Sequence, residues 1–197
     1  MRPLLLAAIA LPSLLAAQAP RPGSWRFGIE AHIPSKLLEV NEVAFPDSND
    51  GQIKVGIGYA AVAERFWRMK DPKARWGVVA RVASAPVEGT LAGTTYKPGR
   101  ALVIDAGLRV AREIQTTSEV FVGAGVSHWS GPDNTSPFSS GGSIRLAAEG
   151  GWTYRLSSVS PWRVSASAHI TRFPQDDARL LATGIVWRAF AGITRDY

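Results

Sequence analysis

From Trp25 onward, apolar and polar positions alternate in runs of about ten residues, each closed by a break rich in Gly, Pro, Ser or Asp. A period of two is the signature of a strand whose two faces meet different surroundings. The first run, residues 25–33, sets Trp25, Phe27, Ile29, Ala31 and Ile33 against Arg26, Gly28, Glu30 and His32. Residues 52–67 set Ile53, Val55, Ile57, Tyr59, Ala61 and Ala63 against Lys54, Gly56, Gly58 and Glu64, and residues 75–83 set Trp76, Val78, Ala80 and Val82 against Arg75, Gly77 and Arg81. The same alternation recurs through Leu102–Val110, Val120–Val126, Ile144–Tyr154, Trp162–Ile170 and Ile185–Ile193. No stretch holds a helical period, so the pattern predicts eight antiparallel strands in an up-and-down barrel.

Alternation alone fits a soluble lipocalin-like or avidin-like barrel with the apolar set inside, and a membrane barrel with that set facing lipid. The polar face separates them. It combines charges with Gly28, Gly56, Gly58, Gly77, Gly107, Gly123, Gly125, Gly151, Gly184 and Gly192. Glycine packs nothing on a solvated face, but beside long arginine side chains it leaves the room that a narrow interior requires. The charges also match in kind. Arg26, Lys54, Arg81, Arg109, Arg145, Arg155 and Arg188 share the face with Glu30, Glu64, Asp105, Glu119 and Glu149, and burying one sign alone is very costly. His32 and His169 share this parity and are expected in the same network. The apolar face carries no formal charge within the strand cores, as lipid contact demands. The expected fold is therefore an all-β, eight-stranded antiparallel up-and-down transmembrane β-barrel. Its interior is just wide enough for side chains, so no sizeable pore is expected.

Breaks near residues 34–51, 84–100, 130–142 and 174–181 are long, and those near 68–74, 113–118 and 157–161 are short. This asymmetry matches long external loops and short periplasmic turns, with both termini periplasmic. Trp25, Trp67, Trp76, Tyr154 and Trp162 then fall at the periplasmic rim, as an aromatic girdle. Ahead of the strands, residues 1–19 carry Arg2, an apolar run interrupted by Pro12 and Ser13, and a small-x-small end, which reads as a secretory signal peptide cleaved after Ala19. Residues 20–197 are expected to form the barrel domain.

Tyr197 closes the last run on the parity of Trp187, Ala191 and Ile193, while Arg195 stands where an apolar residue is expected. With the whole pattern, this resembles the small outer-membrane barrels of the OmpA/OmpX type from Gram-negative bacteria. The resemblance implies an outer-membrane location, contact with outer-membrane lipid and lipopolysaccharide, and a last strand read by the barrel-insertion machinery. It implies a structural or surface-interaction role, with the partner of the loops unknown.

Composition narrows the chemistry. The absence of cysteine excludes disulfides, thiolate metal sites and a cysteine nucleophile. The formal net charge of +6 is distributed over the inward parity and the turns, and the external loops lean acidic through Glu39, Glu42, Asp47, Asp50, Asp133, Asp176 and Asp177, so no nucleic-acid groove is expected. Asp47 to Gly51 lacks EF-hand spacing and reads as a solvated turn. No cofactor and no metal site is expected.

One motif invites a catalytic reading. His128-Trp129-Ser130 is similar to the His-x-Ser pair of the lipid A 3-O-deacylases, which are also small outer-membrane barrels. The resemblance implies His128 as base for Ser130, with Asp133 as the nearest acid to orient the imidazole. Gly131 follows the serine where that family has Asn, and the pair stands earlier in the chain. His169-Ile170-Thr171 stands nearer the family's position but carries Thr for Ser and lies on the inward parity. The principal expectation is a non-enzymatic barrel, with a lipid A ester hydrolase and a soluble ligand-binding barrel as alternatives.

Overall fold

The computed structural model describes residues 24–33, 36–40, 51–91, 94–130, 144–172 and 185–197. Within them every regular element is a strand: β1 (Ser24–Ile33), β2 (Lys36–Val40), β3 (Gly51–Val55), β4 (Gly58–Arg68), β5 (Ala74–Leu91), β6 (Thr94–Gln115), β7 (Ser118–Ser130), β8 (Ile144–Arg155), β9 (Trp162–Arg172) and β10 (Ile185–Asp196). All pairings are antiparallel, and β1 pairs with β10 to close a barrel whose walls run β1-β4-β5-β6-β7-β8-β9-β10. Sequence neighbours are wall neighbours throughout, which is the up-and-down order. The proposed signal segment and Asp133 lie outside the described residues.

Three details differ from the sequence pattern. The run expected over residues 52–67 is two strands, β3 and β4, separated at Gly56 and Ile57. The cause sits on the facing strand. Pro86 has no N–H to donate, Gly56 N–H donates to the Pro86 carbonyl at 2.8 Å, and a Cβ at Gly56 would lie 2.8 Å from the proline ring. Residues 84–100, expected as a loop, instead continue the β5–β6 hairpin to Leu91 opposite Thr94. Its β-branched and aromatic residues, Val87, Thr90, Thr94, Thr95 and Tyr96, favour strand, and a bulge between Val87 and Gly89 with Gly99 at φ 140° accommodates its twist. The expected loop at 34–51 contains β2, which pairs with β3 and extends the sheet beyond the barrel wall.

Burial alternates along most of each strand and inverts the order of a soluble protein. Val122 and Leu146 are 65% and 74% exposed, while Arg188 and Arg109 are 0% and 2% exposed. On β10 the outward residues from Ile185 to Ile193 are apolar. At about 3.4 Å per residue and a tilt near 40°, that band is roughly 21 Å tall, close to the ~25 Å apolar girth of an outer-membrane barrel. The greasy face lies outside and the charges inside, which is the arrangement of a transmembrane barrel.

Inside, glycines let the walls and the side chains approach. Gly107 and Gly125 stand directly opposite each other on β6 and β7, and a Cβ at Gly125 would lie 2.2 Å from the Ala106 carbonyl oxygen.

Candidate functional site

The interior is organised around guanidinium groups projected from the inward positions of several strands, some pairing with the adjacent strand and some across the interior. Arg26 on β1 donates through Nη1 to Glu64 Oε2 at 3.0 Å and through Nε to Asp196 Oδ1 at 3.0 Å. Glu64 on β4 also accepts from Arg109 on β6. Arg109 then grips Glu149 on β8 with two parallel bonds, Nε to Oε1 at 2.7 Å and Nη2 to Oε2 at 2.8 Å. Such a fork is the strongest form of this pair. His169 Nε2 on β9 lies 2.5 Å from Glu149 Oε2 and 2.6 Å from Arg81 Nη1, and Arg81 Nε donates to Glu30 Oε2 on β1 at 2.5 Å. The single Nε2 site can donate to Glu149 or accept from Arg81, not both. The chain of contacts thus leaves β1, crosses the interior through β4, β6, β8, β9 and β5, and returns to β1.

A second pair lies nearer the loop end, where Arg188 holds Asp105 by two bonds at 2.7 and 3.1 Å and reaches Ser127 Oγ at 3.4 Å. At the turn end, Asp196 accepts from Arg163 Nε at 2.8 Å and from Arg155 Nη2 at 3.3 Å as well as from Arg26. Glu119 accepts from Arg75 there through Oε2, and Arg163 Nη1 stands 3.8 Å from the same oxygen. These groups floor a cavity of about 680 Å³ that opens at the turn end, lined among others by Phe66, Arg75, Glu119, Arg163 and Asp196.

The sequence-predicted residues are therefore placed as follows. Arg26, Glu30, Glu64, Arg81, Asp105, Arg109, Glu149, His169 and Arg188 meet in the two interior groups, Arg145 is buried, and Arg155 is part-exposed at the turn end. The side chain of Lys54 lies outside the described residues. His32 is buried and stacks on Phe190 at 5.1 Å. Sequence reasoning did not single out Arg163 and Asp196, nor the interior rings. Arg109 lies over Phe121 at 3.9 Å, Arg81 over Phe190 at 4.4 Å, Arg75 over Phe66 at 4.4 Å and Arg188 over Trp129 at 4.9 Å. Each ring shares the inward parity of its strand, and that parity was the available signal. The π-faces satisfy the flat sides of guanidiniums whose edges serve carboxylates.

His128 and Ser130 lie on the outward parity near the end of β7, His128 half-buried and Ser130 exposed. Ile104 and Ile144 flank His128 in the ladder and Leu102 faces Ser130. No carboxylate stands in these flanking positions to orient the imidazole.

The outer surface at the turn end carries a continuous belt. Trp76 stacks on Trp67 at 4.5 Å, and the Arg65 guanidinium stands 5.2 Å from the Trp67 ring and 5.1 Å from that of Trp25. Trp25 stacks on Phe27 at 5.6 Å, and Phe27 meets Tyr197 edge to face at 5.7 Å. Arg195 lies 5.0 Å from the Tyr197 ring and 5.4 Å from that of Trp162. Trp67 is buried despite its outward parity, because this stack covers it. Arg195, the exception in the apolar pattern of the last strand, is part of the same belt.

Neither a family model nor a curated protein sequence matches the chain. Solved structures similar in fold are barrels at low identity. The outer membrane protein Ail of Yersinia pestis, determined in a phospholipid bilayer nanodisc, is 13% identical over 90% of this chain and 100% of its own, with a TM-score of 0.47. OprG from Pseudomonas aeruginosa is 14% identical over 91% and 98%, with a TM-score of 0.49, and Neisserial surface protein A is 10% identical over 89% and 99%, with a TM-score of 0.47.

Proposed function

We propose that the chain is an integral protein of the bacterial outer membrane with a structural or surface-interaction role and an interior closed by its own side chains. The observation that carries this reading is the ionic circuit of Arg26, Glu64, Arg109, Glu149, His169, Arg81 and Glu30, which bridges opposite walls where a channel would need open water. Eight strands leave an interior that such side chains fill. In this reading the turns, the start of β1 and the end of β10 face the periplasm. The loop end, with the prolonged β5–β6 hairpin, faces outward toward lipopolysaccharide and an external partner. Export would use residues 1–19, and insertion would use the envelope's barrel-assembly machinery.

Two measurements test it together. Envelope fractionation should leave the protein in the membrane until detergent is added, and purified protein in planar bilayers should show no conductance at the level of a general porin. Release without detergent would favour the soluble ligand-binding barrel, and porin-level conductance would mean that the interior is open. The lipid A hydrolase alternative gains no support from the neighbours of His128 and Ser130. Lipid A from cells producing the folded protein should keep its acyl chains by mass spectrometry.

A further inference from the structure

Among the described residues, three arginines project outward at the turn end, and they differ in what neutralises them. Arg112 has Asp71 at 3.7 Å. Arg65 and Arg195 have no carboxylate partner among the described residues, and the Nε of Arg65 is buried without a hydrogen-bond acceptor. Both are instead held by rings, Arg65 between Trp25 and Trp67 and Arg195 between Trp162 and Tyr197. The rings hold the guanidinium planes, the side-chain N–H groups of both arginines have no acceptor among the described residues, and a guanidinium matches the oxygens of a phosphate.

Their spacing is set by the ladder. Arg65 stands opposite Trp25 and Arg195 opposite Phe27, one on each side of β1 and offset by two residues. With strands about 4.8 Å apart and about 3.4 Å per residue, the two backbones are roughly 12 Å apart, with the stacked Trp25 and Phe27 rings between them. Each arginine stands one outward position beyond apolar Ala63 or Ile193, where the hydrocarbon band gives way to headgroups.

We propose that Arg65 and Arg195 form a binding site for an anionic phospholipid of the periplasmic leaflet, its phosphate against the guanidinium edges and its acyl chains over Trp25 and Phe27. The site rests on the membrane reading and adds a ligand to it. Charge argues for an anionic headgroup over a zwitterionic one. A zwitterionic lipid brings its own ammonium beside the phosphate and adds no net charge to offset the two arginines, whereas phosphatidylglycerol adds a net negative charge between them.

The test uses the full chain refolded in phosphatidylcholine vesicles doped at equal mole fraction with chain-brominated phosphatidylglycerol or chain-brominated phosphatidylcholine, reading tryptophan fluorescence. Quenching by phosphatidylglycerol should be several-fold more effective in the wild-type protein. Arg65→Gln with Arg195→Gln should equalise the two lipids, Arg65→Lys with Arg195→Lys should retain part of the preference, and Arg112→Gln should leave it intact. Equal quenching in the wild type, or a preference that survives the double glutamine variant, overturns the site while leaving the barrel in the membrane. Failure of both lipids to quench overturns the membrane reading and the site with it.

Discussion

Arg188 and Asp105 form a two-pronged ion pair between walls that are not neighbours, β10 and β6, with Nη1 donating to Oδ2 at 3.1 Å and Nη2 to Oδ1 at 2.7 Å. Both side chains are buried. Arg188→Leu leaves the Asp105 carboxylate without its partner, at a cost of about 3–5 kcal/mol. The double variant Arg188→Leu with Asp105→Leu removes both charges and should recover most of that loss. Urea unfolding midpoints in detergent, for the two single variants and the double, measure the coupling.

Arg109 serves two carboxylates, Glu64 and Glu149. Arg109→Leu should therefore destabilise at least as much as the loss of Arg188, on the order of 3–5 kcal/mol. Val122→Leu, on the exposed outer face, should change stability by less than about 0.5 kcal/mol. Heat-modifiable gel migration read as a melting curve separates the two, and an indifferent Arg109 variant would place that residue in bulk water.

Two glycines on adjoining strands should respond oppositely to a methyl group. At Gly125 a Cβ meets the Ala106 oxygen at 2.2 Å, so Gly125→Ala should force β6 and β7 apart and cost about 1–3 kcal/mol. At Gly150 the nearest atom is 3.8 Å away, so Gly150→Ala should be neutral or slightly stabilising through reduced freedom of the unfolded chain. Thermal midpoints of the two variants provide the comparison.

The outer part of the β5–β6 hairpin pairs only within itself and with β3 among the described residues, beyond the belt of cross-barrel ion pairs. Replacing residues 87–99 by a two-residue turn should leave the folded, heat-modifiable form intact, with a stability change below about 1 kcal/mol. Loss of folding would assign this hairpin a part in barrel assembly.

The parity of each wall was legible in the sequence, because lipid and a charged interior impose opposite chemistry on successive residues. Trp25, Phe27 and Ile29 against Arg26 and Glu30 is an example. Which charge meets which was not legible. Arg109 finds Glu64 and Glu149 only through the stagger of the walls, a property of closure that no single strand encodes. The break at Gly56 is not legible in its own run, because its cause, Pro86, lies on another strand. The inward rings are less legible, because Phe121 and Phe190 are apolar residues in a largely apolar sequence context, and only their parity, inward like Arg109 and Arg188, distinguishes them.

The ionic circuit also has a mechanical consequence. Ladder hydrogen bonds keep neighbouring strands from sliding but offer little resistance to flattening of the tube, since an oval and a circle preserve the same bonds. The links from Arg109 to Glu64 and Glu149, and from Arg81 to Glu30, each span one intervening strand, while Arg188 to Asp105 and Arg81 to His169 act as spokes between opposite walls, and flattening would stretch some while compressing others. The cross-section is thus braced from within, and the barrel meets the lateral pressure of the surrounding lipid as a stiff cylinder with a fixed girth.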